Sequence, residues 1–186
     1  MAIQVRIWDA DAGVELGSMP SLEPGNAVYC LDWGGELVAA GCRQRGVRLF
    51  DIRGGREALV RVLAGHVKEI TSLSRAVGPL IASGSADCTV KIWDARCGEV
   101  RRDSGCCFTL RGHGSTVMGV AFDGAHQVVS GSNDKTVRLW DLRQNGRCLR
   151  TLEAHSSAVF AVQADQSRII TGSADQTCRI FSFAAA

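Results

Sequence analysis

Histidine and cysteine are the residue types in this chain that could do chemistry, and their spacing says what kind. The 186 residues hold four histidines. Three stand in equivalent contexts, Gly65-His66, Gly112-His113 and Ala154-His155. The fourth, His126, sits in the turn DGAHQ and reads as a solvated loop residue. The eight cysteines are Cys30, Cys42, Cys88, Cys97, Cys106, Cys107, Cys148 and Cys178. They share no regular spacing, and the opening MAIQVRIWD lacks the charged and apolar regions of a secretory signal. Free thiols in a reducing compartment, cytoplasm or nucleus, are therefore expected rather than disulfides. Zinc asks for C-x2-C or H-x3-H pairs, and neither occurs, so no metal or cofactor is expected. Cys107, in the vicinal pair that closes GEVRRDSGCC, is the one candidate for a reactive side chain.

The elements that must carry these residues repeat. One phrase returns five times, as QVRIWD, GVRLFD, TVKIWD, TVRLWD and TCRIFS. Its aromatic residues are Trp8, Phe50, Trp93, Trp140 and Phe181, at steps of 42, 43, 47 and 41 residues. A period of this size means stacked copies of one small unit. It also lowers the expectation of an enzyme, because repeat arrays mostly present surfaces. Between each Gly-His or Ala-His pair and its phrase runs a short β-branched stretch ending in small residues, as in LIASGS, VVSGS and IITGS. These read as buried strands followed by tight turns. Four strands per unit, a to d, give a strands near 27–33, 69–74, 116–122 and 158–163, and b strands near 36–41, 79–84, 127–132 and 168–173. The phrases are the c strands; d strands fall near 14–18, 57–63, 106–110 and 147–152.

Composition agrees with many short strands and turns: 46% apolar and 6% aromatic residues, 21 glycines and 3 prolines. Net charge is +2, with the basic residues scattered through the repeats, so neither nucleic acid nor a membrane surface is an expected partner. No apolar run is long enough to span a membrane.

The paired GH and WD signals at this period resemble the WD40-repeat family, over essentially all 186 residues. The resemblance implies an all-β propeller in one WD40 repeat domain, 1–186, with repeats ending near 9, 51, 94, 141 and 182. Three blades are complete; the first has only c and d strands and the last only a, b and c. Rings normally close, and an open arc leaves unpaired sheet faces. An arc of a longer propeller is the leading expectation. Completion by a second chain, or closure of the last blade by the strand at 14–18, are the alternatives.

The resemblance also implies a buried tetrad in each blade. By position it is His66, Ser83, Asp87 and Trp93; then His113, Ser130, Asp134 and Trp140; then His155, Thr171 and Asp175, with Phe181 replacing Trp. Phenylalanine has no hydrogen to donate to Thr171. A Ser-His-Asp set invites comparison with nucleophilic catalysis, but one that repeats in every unit is structural, since an active site occurs once. The first full unit has Asn26, Ala40, Gln44 and Phe50 at these positions. It is expected to be the least rigid and to hold together by packing of Trp33, Leu37 and Phe50.

WD40 proteins usually bind partners on the face of the d–a loops and b–c turns. The corresponding positions are Ala27, Tyr29 and Arg43; Glu69, Thr71 and Ala86; Thr116, Met118 and Asn133; and Ala158, Phe160 and Ala174. Tyr29, Met118 and Phe160 would place three large apolar groups on one rim. The short a–b turns resemble those of F-box WD-repeat receptors of cullin–RING ubiquitin ligases. Arg43 is the one arginine at these positions, which does not support a phosphate-reading pocket. The segment VVSGSNDKTVRLWDLR resembles the box by which WD40 receptors dock on a cullin-ligase adaptor, and IASGSADCTVKIWDAR nearly matches it. Asp94, Arg96, Asp141 and Arg143 would carry that contact, with Arg53 as an echo. The expected function is thus a non-catalytic protein-interaction scaffold, specifically a ubiquitin-ligase substrate receptor. A general platform for RNA processing, trafficking or signalling is the alternative, and an enzyme the weaker one.

Overall fold

Small and β-branched residues in the middle strand of each unit let sheets stack closely on both sides. The computed structural model describes residues 5–18, 25–52, 58–96, 105–124 and 126–182. β1 (Arg6–Trp8) and β2 (Glu15–Ser18) form a two-stranded ribbon. β3 (Val28–Gly34), β4 (Leu37–Cys42), β5 (Gly46–Asp51) and β6 (Ala58–Ala64) form the first four-stranded sheet. β7 (Ile70–Arg75), β8 (Leu80–Ser85), β9 (Val90–Asp94) and β10 (Cys106–Leu110) form the second. β11 (Val117–Asp123), β12 (Gln127–Ser132), β13 (Val137–Asp141) and β14 (Arg147–Leu152) form the third. β15 (Val159–Ala164), β16 (Arg168–Ser173) and β17 (Cys178–Ser182) form a three-stranded last sheet. Every pairing is antiparallel between neighbours in sequence, the meander of a propeller blade.

The sheets stack through their first strands, β3 on β7, β7 on β11 and β11 on β15. The core therefore lies between sheets. Leu49, Leu63, Ile70, Ile81 and Trp93 fill the first junction, and Ile92, Val117, Phe122, Val128 and Trp140 the second. Val129, Val137, Leu139, Val159 and Ile169 fill the third.

Burial follows position in the stack. QVVSGS of β12 is buried on both faces, whereas RIITGS of β16 alternates between exposed and buried in its first four residues. The two sequences have nearly the same chemistry; β16 has a neighbouring sheet on one side only. No comparable packing joins the last sheet to the first among the described residues, and the arc is open. The small closed ring does not form: β2 pairs with β1 and not with β17.

Trp33 corrects a sequence-based expectation. It does not pack in the first full sheet but stands 71% exposed on β3. Phe50 is buried there against Val38, Ala40 and Cys42, with Val5, Val28 and Ile52 beside them. The reason is position again, since the Trp33 face of β3 meets no inner strand of a preceding sheet.

The stacking distance is set by glycine. A Cβ on Gly131 would lie 2.7 Å from Val159 Cγ1 and 2.8 Å from Val162 Cγ1. Gly131→Val should therefore cost about 3 kcal/mol, near the upper end for overpacking. Urea unfolding measures it, and a loss well below 1 kcal/mol would contradict this packing.

Candidate protein-interaction site

Three histidines tie the entry loop of a sheet to its middle strand and its b–c turn. His66 Nδ1 donates to Asp87 Oδ2 at 2.8 Å, and its Nε2 lies 2.8 Å from Ser83 Oγ. The Trp93 indole N–H donates to the same Ser83 oxygen at 2.8 Å. In the next sheet His113 bonds Asp134 at 2.8 Å and Ser130 at 2.7 Å, and Trp140 donates to Ser130 at 2.8 Å. In the last, His155 bonds Asp175 at 2.8 Å and Thr171 at 2.7 Å. Phe181 packs in the apolar cluster instead, and the Thr171 hydroxyl has the Arg179 carbonyl at 3.5 Å.

The direction of each hydrogen bond follows from valence. With Nδ1–H on the carboxylate, Nε2 accepts the hydroxyl proton, and the hydroxyl oxygen accepts the indole proton. Each carboxylate also takes backbone N–H groups from both ends of the network, Val67 and Thr89 for Asp87, Gly114 and Thr136 for Asp134. Burial pushes the Asp134 pKa up, but hydrogen bonds from Thr136, Gly114 and His113 outweigh it and hold it at about 2. Asp87 is held well below the carboxylate range in the same way, and burial lowers the His113 pKa.

The arrangement reproduces the connectivity of a Ser-His-Asp triad but not its access. Ser83 and Ser130 are fully buried, Thr171 is 1% exposed, and each serine hydroxyl oxygen is already occupied by an indole. A substrate carbonyl has no route to them. Cys107 is exposed on β10, and Cys97 lies outside the described residues.

The first full sheet solves the same problem differently. Asn26 is buried and its Oδ1 accepts the Gln44 N–H at 3.1 Å, so a short amide joins loop to turn where the others use histidine and aspartate. Spacing alone missed this bond because it ends on a backbone group.

All four a–b ladders break register at one place, immediately after the first residue of the a strand. Tyr29, Thr71, Met118 and Phe160 are the extra residues. Bulges re-aim side chains, and here Tyr29 is 53% and Phe160 51% exposed, with Met118 and Thr71 half-buried. Thr71 Oγ1 donates to the Val117 carbonyl across the junction. Arg43 and Asn133 are exposed at the b–c turns beside them, and Glu69 and Thr116 are half-buried. Their backbones fasten this rim: the Arg43, Ala86, Asn133 and Ala174 N–H groups donate to the Ala27, Glu69, Thr116 and Ala158 carbonyls.

The other end of the sheets carries a second repeated feature. Arg96 donates to Asp94 through Nε at 3.2 Å and a terminal nitrogen at 2.9 Å. Arg143 does the same to Asp141 at 3.2 and 3.0 Å. The arginine side chains are 75% and 62% exposed, while Asp141 is buried. Arg143 also lines a cleft of about 230 Å³ with Asp123, His126, Gln127 and Gln166. Arg53 lies outside the described residues.

The fold and its repeated network define a WD40 propeller arc. The family model "WD domain, G-beta repeat" matches residues 57–94, 104–141 and 146–182, and the chain belongs to this family. It is 27% identical over 182 residues, 95% of its length, to the DENN domain and WD repeat-containing protein SCD1 of Arabidopsis thaliana, covering 14% of that protein. It is 33% identical over 163 residues, 80% of its length, to the F-box/WD repeat-containing protein 9 of Bos taurus, covering 32% of it. A chain in the crystal structure of the mitotic checkpoint complex superposes with a TM-score of 0.84 at 25% identity, over 97% of this chain and 56% of that one. The chain thus spans a third or less of these curated relatives. Its class is the protein-interaction scaffold, a family generally without enzymatic activity.

Removing the shared hydroxyl separates the two kinds of network. Ser130→Ala strands a buried indole and an imidazole and should cost about 3 kcal/mol, whereas Thr171→Val strands the imidazole alone and should cost about half as much. Urea unfolding of both variants, with equal losses, would contradict the assignment.

Proposed function

We propose that this chain recruits proteins through both ends of its sheets, as a non-catalytic substrate receptor for a cullin–RING ubiquitin ligase. The observation that carries the reading is the pair of Asp–Arg clamps. They recur in the same geometry on adjacent sheets, with both arginine side chains largely exposed. Two fixed arginines at a common level suit an acidic adaptor surface, where bidentate contacts add specificity. The bulged rim at the opposite end, with Tyr29, Met118 and Phe160, suits the substrate, because rigid aromatic and methionine groups make good anchors. The F-box/WD repeat relative supports a ligase setting for a chain of this type. The buried hydroxyls support a non-catalytic role. The irregular spacing of the eight cysteines supports a reducing compartment, the cytoplasm or nucleus.

Pull-down with a purified cullin-ligase adaptor tests the reading. Arg96→Ala combined with Arg143→Ala should abolish adaptor capture and leave the melting temperature unchanged. Tyr29→Ala combined with Phe160→Ala should leave adaptor capture intact. Adaptor capture that survives the double arginine variant removes the ligase role and leaves a general assembly platform.

A further inference from the structure

Basic residues that are scattered in the sequence meet at one end of the folded sheets. Arg43 and Arg45 stand in the turn between β4 and β5, and Lys135 in the turn between β12 and β13. Lys68 stands in the loop from β6 to β7, and Arg111 in the loop from β10 to β11. These are the b–c turns and d–a loops of the bulged rim. All five side chains belong to exposed residues. None makes a side-chain hydrogen bond or ion pair among the described residues.

The carboxylates of the same rim are already committed. Asp87, Asp134 and Asp175 each accept a histidine N–H, a threonine hydroxyl and backbone N–H groups. Their side chains are largely buried. Glu69 is half-buried, and Glu153 is the one exposed carboxylate at the rim among the described residues. The other end of the sheets is unlike this, since there Arg96 and Arg143 are paired with Asp94 and Asp141. A net charge of +2 thus conceals a local excess at the rim, five unpaired cations to one exposed carboxylate.

The folded sheets do not need these charges. Backbone hydrogen bonds and the histidine networks already fasten the loops that bear them. Beside them the two inner sheets present the bulged Thr71 and Met118, both half-buried. We infer, resting on the bulged rim as the substrate surface, that the substrate segment is acidic: extended polypeptide rich in Asp and Glu, with an apolar side chain to set on Met118. Single charges on four separate turns and loops suit carboxylates spread along a chain, and each arginine can hold one by two parallel hydrogen bonds. The inner sheets place a hydroxyl and a thioether there rather than rings on which bases could stack, which favours polypeptide over single-stranded nucleic acid.

Fluorescence anisotropy of the 186-residue chain with a short labelled peptide, Glu and Asp around one central Leu, tests the inference. The peptide should bind, more weakly as salt is added. Its counterpart with Gln and Asn in place of the acids should not bind. Lys68→Glu combined with Arg111→Glu should weaken binding at least about tenfold and keep the wild-type circular-dichroism spectrum, because both positions are exposed loop sites. Arg96→Ala combined with Arg143→Ala, at the other end, should leave peptide binding unchanged. A peptide that does not bind the wild-type chain, or whose binding survives the Lys68 and Arg111 reversals, would overturn the inference. So would tighter binding of a single-stranded oligonucleotide or of anionic vesicles. Adaptor capture by a chain that refuses the peptide would leave the receptor role without an acidic substrate. Peptide binding by a chain that captures no adaptor would leave an acidic partner on a general platform.

Discussion

A serine hydroxyl with nowhere else to go holds these sheets in shape. Ser83 and Ser130 sit in the middle of a sheet, cut off from water, each between an indole and an imidazole. The indole fixes the c strand, the imidazole fixes the entry loop, and the aspartate beyond the imidazole fixes the b–c turn. Each group is costly to bury alone and satisfied only when the other three are in place. The turn and the loop that bound the rim are thus set by a network beneath it, which gives the rim a rigid base without using its exposed residues.

The second constraint is that each sheet needs neighbours. The b strands carry small residues because sheets press on them from both sides, and a single added carbon at Gly84 or Gly131 would not fit. The same rule accounts for the end sheets. Their sequences are built for two full neighbours; the last sheet has one, and the first meets only Val5, next to the two-stranded ribbon, on its other side. The exposed Ile180 at one end and Trp33 at the other are the consequence, along with the half-buried Val28. Bulged positions stand apart from this rule. Tyr29 and Phe160 point out because of a register break that recurs in every a–b ladder, interior or terminal.

Much of this was legible in the sequence, because the period converts one recognised unit into all the others. Strand order, the partial first and last sheets and the spacing of His, Ser or Thr, and Asp all follow from aligning the phrases. What the period does not carry is contact between units or contact with backbone. Trp33 reads as a core aromatic because its sequence neighbours are apolar; its exposure depends on a strand that no neighbouring sheet supplies. The Asn26 bond to Gln44 was hidden because its acceptor pairs with a main-chain N–H, which every residue but proline has. The links from Asp32 to Arg75 and from Ser74 to Phe122 cross between units, and neither residue type repeats.

The most direct measurement is hydrogen exchange at the four indole N–H groups, followed by nuclear magnetic resonance. If buried hydroxyl networks hold the sheets, Trp93 and Trp140 exchange only through opening of their sheets and are strongly protected. Trp8 and Trp33, which are exposed, exchange at solvent rates. Fast exchange at Trp93 and Trp140, or equal protection at all four, would contradict the account.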